Sequence, residues 1–392
     1  MALDPATEAA RLVDSLGAEQ LALAASYTRG NEWLTVAGVA ISLVLAWIIV
    51  RLRVLDWLAA RVARWPRVAA TFTVSFGFFL IADVLRLPVT VWTDWWREKS
   101  YDMTDQPLGD FLFQYALAGV IEFAISAIFV VGVFWLVRRS PRRWWLWTGG
   151  LAGGGAAALL LLGPALIQPM FNTFQPVPPG QVRTALEAIA DDVGIPHDRI
   201  FMYDGSRQSA NFTANVSGIG PAARIAIADV ALKSASLDEV RAVTAHEAGH
   251  YKLGHVWRHL VVMPLIAVLV AFLIGRLYPW TAQRLGATAP LGDPVGLPVF
   301  MALVSVLTLF TLPAVNSLTR MGEAEADAFA MQTVGLPDAM AGALLKTAEY
   351  RYPRPHPLEE AIFYTHPSVE RRIEAAMAWK AGRGGANMTG VQ

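Results

Sequence analysis

Six stretches of the chain stay apolar for long enough to cross a bilayer, which takes roughly 20 helical residues. They run from Leu34 to Val50, Ala69 to about Trp92, Phe111 to Val137, Trp144 to about Ile167, Leu260 to about Trp280, and about Val295 to Val315. Arg and Trp flank them, so all six read as membrane spans. Ahead of the first, "TEAARLVDSLGAEQLALAASY" mixes apolar and polar residues at helical period. It predicts an amphipathic helix within residues 1–33 that lies on the membrane surface or packs on the bundle. Spans one to four then fill residues 34–167, and spans five and six fill residues 259–316.

The pattern between the fourth and fifth spans is different. Residues 168–258 are polar enough to lie outside the lipid, and open with the proline-rich "QPMFNTFQPVPPG". A helix is predicted over "QVRTALEAIADDVG", stopped by Gly194 and Pro196. Next come a strand at "RIFMYDG" and a hairpin at "NVSGIGPAARIAIAD" that turns at Gly220 and Pro221. Ser236 and Glu239 form a capping-box pattern at the start of the following helix. After the sixth span, residues 317–392 return to amphiphilic helices and end in a tail, "GRGGANMTGVQ". No internal repeat is present.

Composition sharpens this picture. With 55% hydrophobic and 16% charged residues and 14 tryptophans, the chain has the make-up of a membrane protein. Its 32 basic residues balance 32 acidic ones, which argues against a nucleic-acid partner. The absence of cysteine excludes disulfides, thiolate metal sites and a cysteine nucleophile. Any metal must be held by His, Asp or Glu. The N-terminus lacks a basic stretch followed by an apolar core, so no cleavable signal peptide is expected.

The candidate chemistry sits in "RAVTAHEAGHYKLGHVW", residues 241–257. His246 to His250 spell H-E-x-x-H, and residues four apart on a helix stand one above the other, about 6 Å along the axis. Two imidazoles so placed can share one zinc ion, and Glu247 can act as general base toward water. Catalytic zinc takes three protein ligands, so a downstream carboxylate is expected. "NSLTRMGEAEADAFA" offers Glu323, Glu325 and Asp327 on one predicted helix. Two spans separate it from the histidine helix, which puts both on one side of the membrane. His366 precedes Pro367, a pairing that predicts a helix N-cap at His366. His255 and His259 form a second i, i+4 pair, expected at the interface or a pore mouth. His197 and His356 read as loop residues. Asp83, Arg86 and Glu122, in or near spans, are expected to face an aqueous interior or to pair between helices.

These residues resemble the Ste24-type CAAX prenyl proteases, integral-membrane zinc metallopeptidases of the M48 class. The resemblance covers most of the chain. It runs through "IQPMFNTFQPV", "GSRQS" at Gly205 to Ser209, the H-E-x-x-H helix, "NSLTRMGEAEADAFA" and "THPSVERRI". It implies a mainly α fold, a multi-pass helical chamber carrying an extramembrane gluzincin-like region with a small β-sheet. By the same resemblance His246, His250 and Glu323 are ligands of one zinc ion per chain, Glu247 activates water, and Asp327 orients a ligand histidine. His366 would help to stabilise the oxyanion, and Glu325 would point away as a solvated acid. The family's Asn-Ala-Tyr substrate stretch is altered here. Aligned on Gly205 and Gly218, Thr213 takes the asparagine place and Asn215 the tyrosine place, with Asn211 and Asn215 as stand-ins for substrate binding.

The implied function is hydrolysis of peptide bonds in peptide or protein substrates, including lipidated C-termini, at a membrane-lipid boundary of a bacterial inner membrane. Alternatives are a broader quality-control protease, a site-2-type intramembrane protease, and a transporter or scaffold with a residual metal site. The polar "SLDEVRAVT" ahead of the histidines argues against a site buried within a span. Arginine-rich connections after the first and third spans place those loops in the cytoplasm by the positive-inside rule, and the zinc site outside. The family resemblance points to the cytoplasmic side.

Overall fold

The computed structural model of the chain describes residues 4–210 and 213–389. Its six long apolar helices are Gly17–Arg51, Arg67–Ser100, Leu108–Arg139, Trp144–Phe171, His255–Leu285 and Pro294–Val334. They correspond in order to the six expected spans. The first and the sixth overrun the expected limits furthest. Residues 17–33 continue into the first span as one helix, leaving only Pro5–Asp14 as a separate N-terminal helix. The sixth span runs without a break from Leu297 to Val334 and so carries Glu323 and Asp327 itself. No glycine or proline lies between Asn316 and Met321 to stop it, and the helix ends where Gly335 adopts a left-handed conformation.

Side chains of several spans meet in one apolar core that includes Ile49, Phe78, Phe134, Ile274 and Leu297. Phe134 of the third span meets Phe300 of the sixth edge to face, with ring centroids 5.6 Å apart. The fourth and fifth spans approach closely at Gly149, where an added Cβ would stand 2.4 Å from Val268 and 3.0 Å from the Pro264 carbonyl. Small residues permit this contact, as in membrane bundles generally. Asp83 and Arg86 both line a cavity of about 320 Å³ with Ser42, Ser305 and Thr308. Asp83 also accepts a hydrogen bond from Tyr115 of the third span. Asp83 and Arg86 of the second span thus share one cavity.

The extramembrane region is built on a second apolar core that includes Leu186, Ile200, Ile225, Ala245 and Ile373. Its sheet has the order β1-β2-β4-β3, with β1 Phe174–Pro176, β2 Ile200–Tyr203, β3 Ala214–Ser217 and β4 Arg224–Ala228. The β3–β4 pair is the expected antiparallel hairpin, with Asn215 opposite Ala226, whereas β2 and β4 run parallel. Gly218 turns the hairpin at φ +91°, and a Cβ there would lie 2.4 Å from the Ala222 carbonyl oxygen. The H-E-x-x-H helix, Leu237–Lys252, starts with the full capping box: the Ser236 hydroxyl accepts from the Glu239 amide, and Glu239 from the Ser236 amide.

The connection between the second and third spans folds onto this region, with the Ala210 amide bonded to the Met103 carbonyl and Thr104 to the Gln208 carbonyl. At the other end of the bundle, Arg138 donates to the Gly292 carbonyl, tying the third connection to the fifth. The arginine-rich connections and the candidate site therefore lie at opposite ends.

Candidate metal centre

His246 and His250 project from one face of the helix Leu237–Lys252, and Glu323 faces them from the sixth span. Nε2 of His246 lies 3.2 Å from Nε2 of His250 and 3.2 Å from Glu323 Oε2. Nε2 of His250 lies 3.3 Å from Glu323 Oε1. The three groups form a set able to hold a metal ion, with all ligand atoms within 4.8 Å of one another. Zinc bound at about 2.0–2.1 Å in a tetrahedron would space its ligand atoms roughly 3.3–3.4 Å apart. The three closest contacts, which use both oxygens of Glu323, are near that spacing. Glu323 Oε2 is buried and has no hydrogen-bond partner, a cost that a cation at the centre removes.

The helices can approach because Gly249 has no side chain. A Cβ at that position would sit 3.2 Å from the Ala326 backbone. Behind the histidines, each has its own support. Nδ1 of His246 contacts Asp327 Oδ1 at 2.8 Å, and Asp327 in turn accepts two bonds from Arg372, 2.8 Å from Nε and 2.7 Å from Nη2. Arg372 comes from the final helix, Val369–Thr389, and is buried. Nδ1 of His250 contacts Nδ1 of His255 at 2.8 Å.

His366 reaches the same point from the C-terminal segment, with Nε2 3.2 Å from Glu323 Oε2 and Nδ1 2.8 Å from the Thr365 hydroxyl. Burial, and next the charge of Arg351, push its pKa down to about 3, so the ring is neutral. His366 is not the N-cap expected from its sequence. The Arg372 amide bonds to the Ser368 carbonyl and the Arg371 amide to the Ser368 hydroxyl, which makes Ser368 the cap. Serine is the better capping residue, and its position two residues later frees the imidazole to face the metal centre. Glu247 follows His246 on the same helix, and burial raises its carboxyl pKa from the usual value.

Residues 176–380 match the family model of peptidase family M48, and residues 5–173 match that of the CAAX prenyl protease N-terminal region of five membrane helices. The chain belongs to peptidase family M48. Over residues 5–173 it has four long spans plus the short helix Pro5–Asp14. "Uncharacterized metalloprotease YhfN" of Bacillus subtilis is 25% identical over 368 residues, covering 91% of this chain and 85% of that one. CAAX prenyl protease 1 of Saccharomyces cerevisiae is 30% identical over 231 residues, 54% of this chain and 51% of that one. The crystal structure of S. mikatae Ste24p has the same fold, with a TM-score of 0.74, 20% identity and coverage of 93% of this chain and 90% of that one. This M48 chain is a multi-pass integral membrane metallopeptidase, and its family implies a metal, typically zinc.

Two expectations need correction on this M48 scaffold. His255 does not face the interface or a pore mouth: it is buried against His250, brought there by the left-handed turn at Gly254, φ +68°, between the histidine helix and the fifth span. Glu325 does not stand apart as a solvated acid, since it accepts from His255 Nε2 at 2.8 Å and from Arg258 at 2.9 Å. Sequence reading also missed Arg372, whose partner Asp327 lies far along the chain, and the charge of Arg351 near His366. His259 bonds along its own helix to the His255 carbonyl and sits 3.4 Å from the Thr319 hydroxyl. Of the substrate-binding candidates, Asn215 sits on β3, an edge strand, with its side-chain oxygen buried and without a partner. Thr213 is exposed and bonded to the Tyr203 hydroxyl at 2.9 Å. Asn211 lies outside the described residues.

Proposed function

We propose that His246, His250 and Glu323 hold one zinc ion per chain and that this site cleaves peptide bonds near the C-termini of membrane-associated polypeptides. The observation that carries the reading is the convergence of the two Nε2 atoms, 3.2 Å apart, on the Glu323 carboxylate, whose oxygens lie 3.2 Å from His246 and 3.3 Å from His250. Zinc held there supplies Lewis acidity and a water made acidic enough to lose its proton near neutral pH. Glu247 takes the proton of the attacking water as its oxygen adds to the scissile carbonyl carbon. The same carboxyl group returns that proton to the leaving nitrogen as the C–N bond breaks, giving an acid and an amine. Its raised pKa suits both roles.

His366 donates to the developing oxyanion. With Nδ1 accepting from the Thr365 hydroxyl, the neutral ring carries its proton on Nε2, the atom beside Glu323. Asp327 fixes the tautomer and direction of His246, and Arg372 fixes Asp327. The substrate adds as an extended strand to the edge strand β3 by backbone hydrogen bonds. Relatives named CAAX prenyl protease 1 favour a lipidated C-terminus as the substrate, and the six spans bring such a chain to the site in the membrane.

Metal analysis together with cleavage of a membrane-tethered peptide tests this. Wild type should carry about one zinc per chain. His246→Ala and Glu323→Ala should be empty, whereas Glu247→Gln should stay loaded and lose about 10²- to 10⁴-fold in turnover. Full zinc in either ligand variant, or near-normal turnover in loaded Glu247→Gln, would refute the assignment.

A further inference from the structure

The two histidines of the metal set are backed in different ways. His246 meets a carboxylate directly, but Nδ1 of His250 meets another imidazole nitrogen, Nδ1 of His255, at 2.8 Å. His255 is 5% exposed, and its Nε2 lies 2.8 Å from Glu325 Oε2. The same carboxylate oxygen accepts from Arg258 Nη2 at 2.9 Å. Three elements converge here: the end of the histidine helix, the first turn of the fifth span, and the sixth span.

Proton positions along this chain follow from donor and acceptor chemistry. An ionised carboxylate only accepts, so His255 must present Nε2–H to Glu325. The neutral His255 ring then has a bare Nδ1. That nitrogen can only accept, which obliges His250 to carry its proton on Nδ1 and leaves the His250 Nε2 lone pair facing Glu323 and His246. The opposite arrangement would put N–H into the centre of the metal set and block a ligand position. We propose that His255 and Glu325 form a positioning relay that holds His250 in its metal-binding tautomer and slows loss of the metal. The proposal rests on the reading of His250 as a ligand.

Local geometry is built for the relay. The left-handed Gly254 turns the chain so that His255, five residues on from His250, stacks edge to face with it at a centroid distance of 4.9 Å. Gly322 makes room for the ring, since a Cβ there would lie 3.2 Å from His255 Nδ1. His259, one turn further along, reaches neither Glu325 nor the metal set and takes no part.

The test is the rate at which purified, detergent-solubilised protein surrenders zinc to a coloured chelator. Outer partners of metal-bound histidines are generally worth roughly 10- to 100-fold in affinity. His255→Phe, which fills the space without an acceptor, and Glu325→Ala should both release zinc faster by that factor. Glu325→Gln keeps an acceptor oxygen for His255 and should release zinc more slowly than Glu325→Ala, and His259→Phe should match wild type. Wild-type release from both His255→Phe and Glu325→Ala would overturn the relay. Equal release from Glu325→Gln and Glu325→Ala would overturn its tautomer basis. Should His255→Phe fail to fold, the half-exposed Glu325 still decides the matter, with the melting temperature of zinc-free Glu325→Ala as the check on folding. A failure of the ligand assignment looks different, because His250→Ala would then retain zinc.

Discussion

Removing Arg372 should damage the protein more than an ordinary ion-pair deletion. Its side chain is 7% exposed and Asp327 is 13% exposed, and the pair is bidentate at 2.8 and 2.7 Å. The contact joins the final helix to the sixth span directly behind His246. In Arg372→Leu the Asp327 carboxylate keeps one donor, His246 Nδ1, and loses its counter-charge. Breaking a buried pair in this way costs about 3–5 kcal/mol, against ~0–1 kcal/mol for an exposed pair. At about 2–4 °C per kcal/mol for a unit of 150–250 residues, the shift in unfolding temperature is roughly 6–20 °C. The assay is thermal unfolding in detergent followed by tryptophan emission, with Asp327→Asn and the double variant completing a cycle. The double variant should recover part of the loss, because Asn leaves no buried charge. A fall of less than about 1 kcal/mol in Arg372→Leu would refute the reasoning and make this an exposed-type pair despite its burial.

The remaining expectations concern the C-terminal segment and the hairpin. His366→Ala should lower kcat by about 10²-fold with zinc content unchanged, the scale for one oxyanion donor. Ser368→Ala, which removes the cap, should lower stability by about 1 kcal/mol and leave kcat intact, both read from steady-state kinetics beside melting curves. The reverse pattern would return the capping role to His366. Gly218→Ala should destabilise the β3–β4 turn, because the added methyl meets the Ala222 carbonyl and the φ of +91° is strained for a side chain. Its signature is faster proteolysis within residues 213–228 and a raised KM; wild-type KM would argue against substrate docking on β3.

Much of this architecture was legible because it depends on local periodicity. Six apolar runs, a capping box at Ser236, and two histidines four apart are patterns that neighbouring residues define for themselves. The extension of the first and sixth spans was legible in part, since residues 18–29 and 316–321 keep helical period without glycine or proline, but Gly30 and polarity suggested boundaries where the backbone has none. "HPS" at 366–368 held two candidate caps, and ranking serine above histidine would have placed the cap correctly.

The supports of the site were hidden for a different reason. Asp327 and Arg372 are 45 residues apart, and His255 and Glu325 are 70 apart, so no periodic signal joins them. Glu325 follows Glu323 by two positions on one helix, which turns it away from the first metal-facing oxygen and made it look like a solvated acid. The first turn of the fifth span comes beside that other face, after the left-handed turn at Gly254 that ends the histidine helix. A residue pointing away from His246 thereby comes to lie behind His250. On the proposed assignment the two histidines are supported from different faces of the sixth span, and Glu323, Glu325 and Asp327 would provide a ligand and two supports from five consecutive residues. That arrangement explains why three acids cluster where one ligand would suffice.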